Sequence, residues 1–308
     1  MILRAIKMNE DNVRINSFKA WVLAARPKTL TGAAVPVLVG TALALNNAGG
    51  AIRVLPVVLC FLFAFIMQID ANFVNDYFDF IHGNDDETRL GPKRACAQGW
   101  ITIGAMKKGL VLTTILACVV GLPLVWYGGS EMILIGLLCV TFCFLYTTSL
   151  SYMGLGDLLV LLFFGIIPVS MTYFLAMPVG SQAITWQVLL ASLACGFVID
   201  ALLLVNNYRD IDNDRKAGKM TFVVRVGKRN AELAYLFVGI TACMLGLVHL
   251  FYGNILAFFL PFLYLIIHVY TWREMVKISQ GKQLNAVLGK TARNMFVYGV
   301  LVSIGLLL

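Results

Sequence analysis

Two short polar motifs with nearly the same residues lie at the ends of long apolar stretches. The first is Asn75-Asp76-Tyr77-Phe78-Asp79, and the second is Asn206-Asn207-Tyr208-Arg209-Asp210, which continues to Asp214. Carboxylates at a membrane boundary are costly, so they usually have a function. Carboxylate and amide oxygens suit Mg²⁺, and Mg²⁺ commonly binds substrate phosphates through a few carboxylates. The motifs therefore indicate a magnesium-bridged diphosphate site.

The spacing within each motif places the candidate ligands on one face of a helix, if the helices continue through the motifs. Residues four apart stack on a helix, so Asn75 and Asp79 share a face. The same spacing joins Asn206, Asp210 and Asp214. We expect each set to point at a common ligand.

Basic residues follow both motifs and are candidate partners for phosphate oxygens. They are Lys93, Arg94, Lys216, Lys219 and Arg225. The alternative is that the carboxylates form ordinary ion pairs at solvated loop ends. The repetition of Asn-x-Tyr-x-Asp at equivalent positions with cations beside it favours a functional site over that alternative.

The composition indicates an integral membrane protein. Sixty per cent of the 308 residues are hydrophobic and 13% are charged, whereas about a quarter of a soluble domain is charged. A membrane-spanning helix needs about 20 mostly apolar residues. The apolar runs are continuous, whereas barrel strands alternate, so the fold class is all-α. The predicted spans are 29–48, 54–74, 109–127, 132–148, 155–177, 184–205, 232–251, 254–272 and 294–308.

The distribution of basic residues predicts the orientation. With the N-terminus inside, Arg53 is the one exception among the 24 Lys and Arg residues, since all others fall on inside segments. Both motifs then face the cytoplasm. The net charge of +8 lies on one membrane face, so it requires no nucleic-acid partner.

The chain is predicted to be one transmembrane domain over residues 1–308. Its N-terminal arm, residues 1–28, carries a short helix near Phe18 to Leu23 on the membrane surface. The longest polar stretches, 75–108 and 206–231, are the predicted active-site loops. They follow the second and sixth spans, and their motifs align at a constant offset. This repeat predicts two related helix bundles that bring their acidic ends together over one cavity.

Three further carboxyl groups lie within or beside predicted spans. Asp70 and Asp200 lie deeper in the second and sixth spans, where a polar contact between helices and a role at the cavity are both open. Asp157 begins the fifth span after Gly154-Leu155-Gly156, where a role in the site and helix capping are the two alternatives.

The motifs resemble those of UbiA-type membrane prenyltransferases, and the similarity covers nearly the whole chain. Ala24-Ala25-Arg26-Pro27-Lys28-Thr29-Leu30 and Gly154-Leu155-Gly156-Asp157 are similar to the 1,4-dihydroxy-2-naphthoate prenyltransferase branch of the family. So are Asn75 to Phe80 with Gly91-Pro92-Lys93-Arg94, and Asn206 to Asp210 with Asp214 to Lys219. The broader family often has a third Asp at the position of Gly83, and Asp85 is the nearest replacement.

This resemblance implies a UbiA-type fold of about nine transmembrane helices around one cavity in a bacterial inner membrane. It implies transfer of a polyprenyl group from polyprenyl diphosphate to 1,4-dihydroxy-2-naphthoate, with Mg²⁺ as cofactor. The implied metal ligands are Asn75, Asp79, Asp85, Asn206, Asp210 and Asp214. The implied diphosphate-binding residues are Arg89, Lys93, Arg94, Lys216 and Lys219. Asp79 and Asp210 are the principal catalytic carboxylates, and Asp157 or Asp76 would orient the acceptor or take a proton.

Other functions remain alternatives at this point. A UbiA-type enzyme with another acceptor, such as 4-hydroxybenzoate, would share the same motifs. A cation-coupled transporter could use intramembrane carboxylates such as Asp70 and Asp200, but it would not explain carboxylates clustered beside phosphate-binding cations. A CDP-alcohol phosphotransferase is disfavoured because its Asp-Gly-x-x-Ala-Arg element is absent from the sequence.

Overall fold

The structure is a computed structural model that describes residues 13–83 and 89–308. In these two ranges the chain is helical and has no strand. Eight helical segments are long and apolar enough to cross a membrane, which fits an integral membrane protein. They are Phe18–Asn47, Val54–Ile81, Ile103–Gly128, Glu131–Leu150, Gly156–Ala176, Trp186–Lys216, Lys228–Phe251 and Ile255–Ile278.

A further long helix, Leu284–Leu307, follows these eight segments. The ninth predicted span, 294–308, coincides with its apolar second half. The first half carries Lys290 and Arg293, and by composition the helix is not among the eight candidate spans. All nine predicted spans therefore lie on helices, and the all-α prediction is confirmed.

The helix predicted near Phe18 is present as Phe18–Ala25. The Ser17 side chain accepts a hydrogen bond from the backbone N–H of Ala20, which caps the helix start. Arg26 adopts φ of 49°, and Pro27 follows. This break turns the chain before the next helix, Leu30–Asn47.

The two helices that carry the motifs extend beyond the predicted span ends at 74 and 205. The first-motif helix is Val54–Ile81 and the second-motif helix is Trp186–Lys216. Gly83 and Gly218 follow them with φ of 72° and 71°, a left-handed conformation that commonly ends helices. Gly83, where the resembling family often has a third Asp, thus lies at a position where the chain has left the helix. Both motifs are helical, as their spacing required.

The second-motif helix lies at the centre of the molecule, and small residues allow a close approach to it. A Cβ atom on Gly165 would lie 2.7 Å from the Cα of Gly196 and 2.8 Å from the carbonyl oxygen of Ser192. Gly165 belongs to the segment Leu161–Ile166, which has one wide π-helical turn. The backbones of the two helices therefore touch directly, as small residues permit in membrane bundles.

Polar side chains join helices at the end opposite the motifs. We call Asn46, Asn47, Gln187 and Asn254 the amide cluster. Asn46 and Asn254 exchange hydrogen bonds of 3.0 and 3.2 Å. Gln187 donates to Asn254 at 2.9 Å, and Asn47 donates to Gln187 at 3.3 Å. These bonds connect the Leu30–Asn47 helix to the start of the second-motif helix and to the turn at Asn254.

Asp70 forms a polar contact between helices. Its carboxylate accepts hydrogen bonds from the hydroxyls of Thr113 and Thr114, the latter at 3.0 Å. Both threonines lie on Ile103–Gly121. Of the two alternatives for Asp70, the structure favours the contact between helices.

Candidate active site

The first-motif helix presents Asn75 and Asp79 one turn apart near its end. The side-chain oxygen of Asn75 accepts a hydrogen bond of 2.8 Å from the hydroxyl of Thr147. Asp79 forms an ion pair of 2.6 Å with Arg94, whose guanidinium also donates to the backbone carbonyl of Asn75. Arg94 is buried. Among the predicted phosphate partners, Arg94 therefore contacts the first motif directly.

The second-motif helix presents Asn206, Asp210 and Asp214 on successive turns. Arg209, which is buried, donates from Nε and Nη2 to the two oxygens of Asp210 at 2.8 and 2.5 Å. Its Nη2 also donates to the side-chain oxygen of Asn206 at 2.9 Å. Sequence reasoning did not select Arg209. Its position inside the motif, beside Asp210, was the available signal.

The two motifs converge. Asp214 lies close enough to interact electrostatically with Asp210 of its own helix and with Asp79 of the first-motif helix. Lys219 lies 3.9 Å from Asp214. The buried Oδ2 atom of Asp214 has no hydrogen-bond partner among the described residues. Carboxylates brought together in this way repel one another unless a cation lies between them.

The other predicted phosphate partners contact solvent or backbone carbonyls. Lys93 and Lys216 are exposed. Arg89 donates from Nε to the carbonyl of Pro92 at 3.0 Å. Arg225 donates to the carbonyls of Met220 and Met153 at 3.1 and 2.7 Å. Within the described residues, Arg94 and Lys219 form ion pairs with motif carboxylates.

Asp76 holds the loop that follows the first motif. Its two carboxylate oxygens accept hydrogen bonds from the backbone N–H groups of Ala95 and Cys96 at 3.1 and 3.0 Å. Arg26 lies 3.7 Å from the same carboxylate. Asp76 is fully buried. These contacts position Arg94, the residue before Ala95, against Asp79.

Replacing Asp76 by Ala should destabilise this loop. Each buried N–H group that loses its acceptor costs about 1–3 kcal/mol. We expect a lower free energy of unfolding in detergent for Asp76→Ala, with Asp76→Asn between it and wild type, because Asn keeps one acceptor oxygen. Chemical or thermal unfolding of the three proteins measures this order. Equal stability of wild type and Asp76→Ala would contradict the assignment.

Asp157 and Asp200 both lie close enough to Tyr146 to interact with it electrostatically. A Cβ atom on Gly156 would lie 3.4 Å from Leu203 and 3.6 Å from Tyr146. Asp157 and Asp200 interact electrostatically with each other. The Oδ1 atoms of both are buried without a hydrogen-bond partner in the described parts of the chain. The N-cap residue of this helix is Leu155 and not Asp157, which argues against the capping alternative.

A small cavity connects Asp157 to the second motif. It encloses about 10 Å³ and is lined by Tyr146, Asp157, Asn207 and Lys219, among others. This volume is about enough for one water molecule. Asp157 therefore lies beside the residues that border Asp210 and Asp214.

The donor set fits Mg²⁺, although the described residues hold no ready-made ligand cluster. Across residues 13–83 and 89–308, no three His, Cys, Asp or Glu side chains group closely enough to hold a metal. Asp85 lies outside the described residues. Mg²⁺ usually keeps several waters and uses one or two carboxylates with substrate phosphates. The unpartnered oxygen of Asp214, close to Asp79 and Asp210, meets that requirement.

Comparisons with known proteins show the family of this chain. The model of the UbiA prenyltransferase family matches residues 33–300. A protein of Escherichia coli (strain K12), named 1,4-dihydroxy-2-naphthoate octaprenyltransferase, is 34% identical over 307 residues, covering 94% of this chain and 97% of the relative.

Two solved structures share the fold. A UbiA homolog from Aeropyrum pernix K1 has a TM-score of 0.68 at 11% identity, covering 90% of this chain and 96% of that one. A UbiA homolog from Archaeoglobus fulgidus, bound to DMAPP and Mg²⁺, has a TM-score of 0.61 at 12% identity, covering 92% and 99%. Given its converging acidic motifs and these similarities, the chain belongs to the UbiA prenyltransferase family and is a prenyltransferase.

Proposed function

We propose that this protein transfers a polyprenyl group from polyprenyl diphosphate to 1,4-dihydroxy-2-naphthoate and releases the ring carboxylate as CO₂, giving demethylmenaquinol. The observation that carries the proposal is the convergence of Asp79, Asp210 and Asp214 from two helices. The name of the Escherichia coli relative supports this acceptor, as do the motifs that resemble the naphthoate branch.

The first part of the mechanism concerns the diphosphate. Asn75 and Asp79 on one helix, with Asn206, Asp210 and Asp214 on the other, would hold Mg²⁺. When bound, Mg²⁺ neutralises the charge that develops on the leaving diphosphate. Arg94 and Lys219 would contribute further positive charge, and we assign Arg89, Lys93 and Lys216 to the same diphosphate. Asp85 belongs to the same proposed ligand set.

The second part concerns the acceptor. As the allylic C–O bond breaks, its electron pair leaves with the diphosphate, and the electron-rich naphthoate ring attacks the allylic carbon. Loss of CO₂ then restores aromaticity. We assign the orientation of the acceptor to Asp157, because it lies beside the second motif with an unpartnered oxygen. We assign Asp76 to loop positioning, because both of its oxygens accept backbone hydrogen bonds.

The proposed location is a bacterial inner membrane, with both motifs and the N-terminus on the cytoplasmic side. The position of basic residues supports this orientation. The lipid bilayer would receive the prenyl chain and shield the allylic cation from water.

An acceptor competition assay tests the proposal. The purified protein is given a labelled polyprenyl diphosphate with 1,4-dihydroxy-2-naphthoate and 4-hydroxybenzoate together, with and without EDTA. We expect prenylated naphthoquinol, release of CO₂, and loss of both in EDTA. If product formed only from 4-hydroxybenzoate, the proposed reaction class would stand, but the acceptor would be 4-hydroxybenzoate and not 1,4-dihydroxy-2-naphthoate. Product that is insensitive to EDTA would overturn the metal requirement.

A further inference from the structure

Arg209 connects the second motif to a distant helix. Three of its contacts are the hydrogen bonds to Asp210 and Asn206 described above. The fourth runs from Nη1 to the side-chain oxygen of Asn285, at 2.8 Å. Asn285 lies in the first turn of Leu284–Leu307. Arg209, which is 4% exposed, is therefore held from both sides.

Asn285 also reaches the loop that follows the first motif. Its side-chain amide donates a hydrogen bond of 2.8 Å to the carbonyl of Leu90. One side chain therefore uses its oxygen for Arg209 and its nitrogen for Leu90. The resulting chain of hydrogen bonds runs from Leu90 through Asn285 and Arg209 to Asp210.

Gly91 shows how closely the loop passes Arg209. A Cβ atom on Gly91 would lie 2.9 Å from Nη2 and 3.3 Å from Cζ of Arg209. Any side chain at this position would press on the guanidinium. The loop that carries Lys93 and Arg94 is thus fitted to the surface of the second motif at Arg209.

We propose that Asn285 is a positioning residue for the diphosphate site, because it holds Arg209 against Asp210 and ties the first-motif loop to the second motif. The inference rests on the proposed function, in which both motifs bind one diphosphate. Asn285 acts through its two hydrogen-bond partners and does not touch the substrate. Its loss should weaken the binding of the diphosphate and its metal, while the acceptor side at Asp157 remains intact.

Two substitutions separate the two hydrogen bonds. Asn285→Ala removes both of them. Asn285→Asp has nearly the same shape and keeps an oxygen for Arg209, but it places a second oxygen against the Leu90 carbonyl. Gln283→Ala is the matched control, because Gln283 is exposed and lies just before the same helix.

The kinetic test compares the effect of each substitution on the KM values of the two substrates. For Asn285→Ala, we expect the KM for polyprenyl diphosphate and the Mg²⁺ concentration for half-maximal rate to rise about tenfold, the usual effect of losing a hydrogen bond to a charged group. Asn285→Asp keeps the acceptor for Arg209 and loses only the bond to Leu90, so both quantities should rise by less than in Asn285→Ala. The KM for the acceptor should stay within about twofold of wild type. Gln283→Ala should match wild type throughout. Equal changes in both KM values would indicate general loosening and overturn the inference.

A readout without substrate separates this inference from the proposed function. Backbone amide hydrogen exchange is measured over residues 89–102 in detergent, without metal or diphosphate. We expect faster exchange there in both Asn285 variants, with unchanged exchange in the Gly156–Ala176 helix. Suppose that exchange is faster in the variants but that the wild-type protein prenylates no aromatic acceptor. The link from Asn285 to the first-motif loop would then be retained, and the proposed function would be rejected. Unchanged exchange in both variants would reject the link between Asn285 and the first-motif loop, regardless of how active the variants are.

Discussion

Asp210→Asn is expected to reduce prenyl transfer about 100- to 1,000-fold, the range for losing one strong electrostatic contact to a developing charge. The substitution keeps the shape of the side chain but removes a negative charge. Asp210 lies where the two motifs meet and holds Arg209 with both oxygens. Initial rates over a range of Mg²⁺ concentrations measure the effect, and excess Mg²⁺ should restore only part of the activity.

Asp212→Asn is the matched control for Asp210→Asn. Asp212 lies two residues farther along the same helix, and it is exposed. The same chemical change there should leave the rate within about twofold of wild type, as is usual for surface substitutions. If both variants lost prenyl-transfer activity to a similar extent, the net charge of the helix, and not the position of Asp210 in the site, would determine the rate.

Gly165→Leu is expected to have the largest effect on folding. The new side chain would enter the contact with Gly196 and Ser192, where even a Cβ atom would lie within 2.8 Å of backbone atoms. Overpacking of this kind costs about 3 kcal/mol or more when backbone has to move. We expect a large fall in the yield of folded protein and in the unfolding temperature in detergent.

Gly136→Leu provides the comparison for Gly165→Leu. Gly136 lies on Glu131–Leu145, and a Cβ atom there would meet nothing within 4 Å. The same increase in side-chain volume should therefore be tolerated. If Gly165→Leu folded as well as Gly136→Leu, the close contact between the Gly156–Ala176 helix and the second-motif helix would be disproved.

The sequence predicted those features of the site that depend on local spacing. Asn75 with Asp79, and Asn206 with Asp210 and Asp214, share helix faces because residues four apart stack on any helix. The helices extend beyond the span ends predicted at 74 and 205, because hydropathy falls where polar residues begin, whereas the helices continue to Ile81 and Lys216. The glycines at 83 and 218 were the better signal for these ends.

The features that the sequence missed depend on contacts between distant residues. Arg209 lies inside a motif, but its partner Asn285 is 76 residues away, and no local pattern joins them. Asp76 was considered for catalysis because it lies within the first motif. Its backbone partners Ala95 and Cys96 could not be identified before the loop was folded. Asp85 stays a prediction because it lies outside the described residues.

The amide cluster has a consequence for biogenesis. Asn46 finds its partner Asn254 only after 208 further residues have been synthesised. During insertion into the bilayer, the first long helix must therefore wait without this partner while the intervening helices enter. Unpaired polar groups in lipid are costly, so an unfinished chain should stay accessible to insertion factors and proteases. Assembly of this protein is thus completed late, when its beginning and its final third meet.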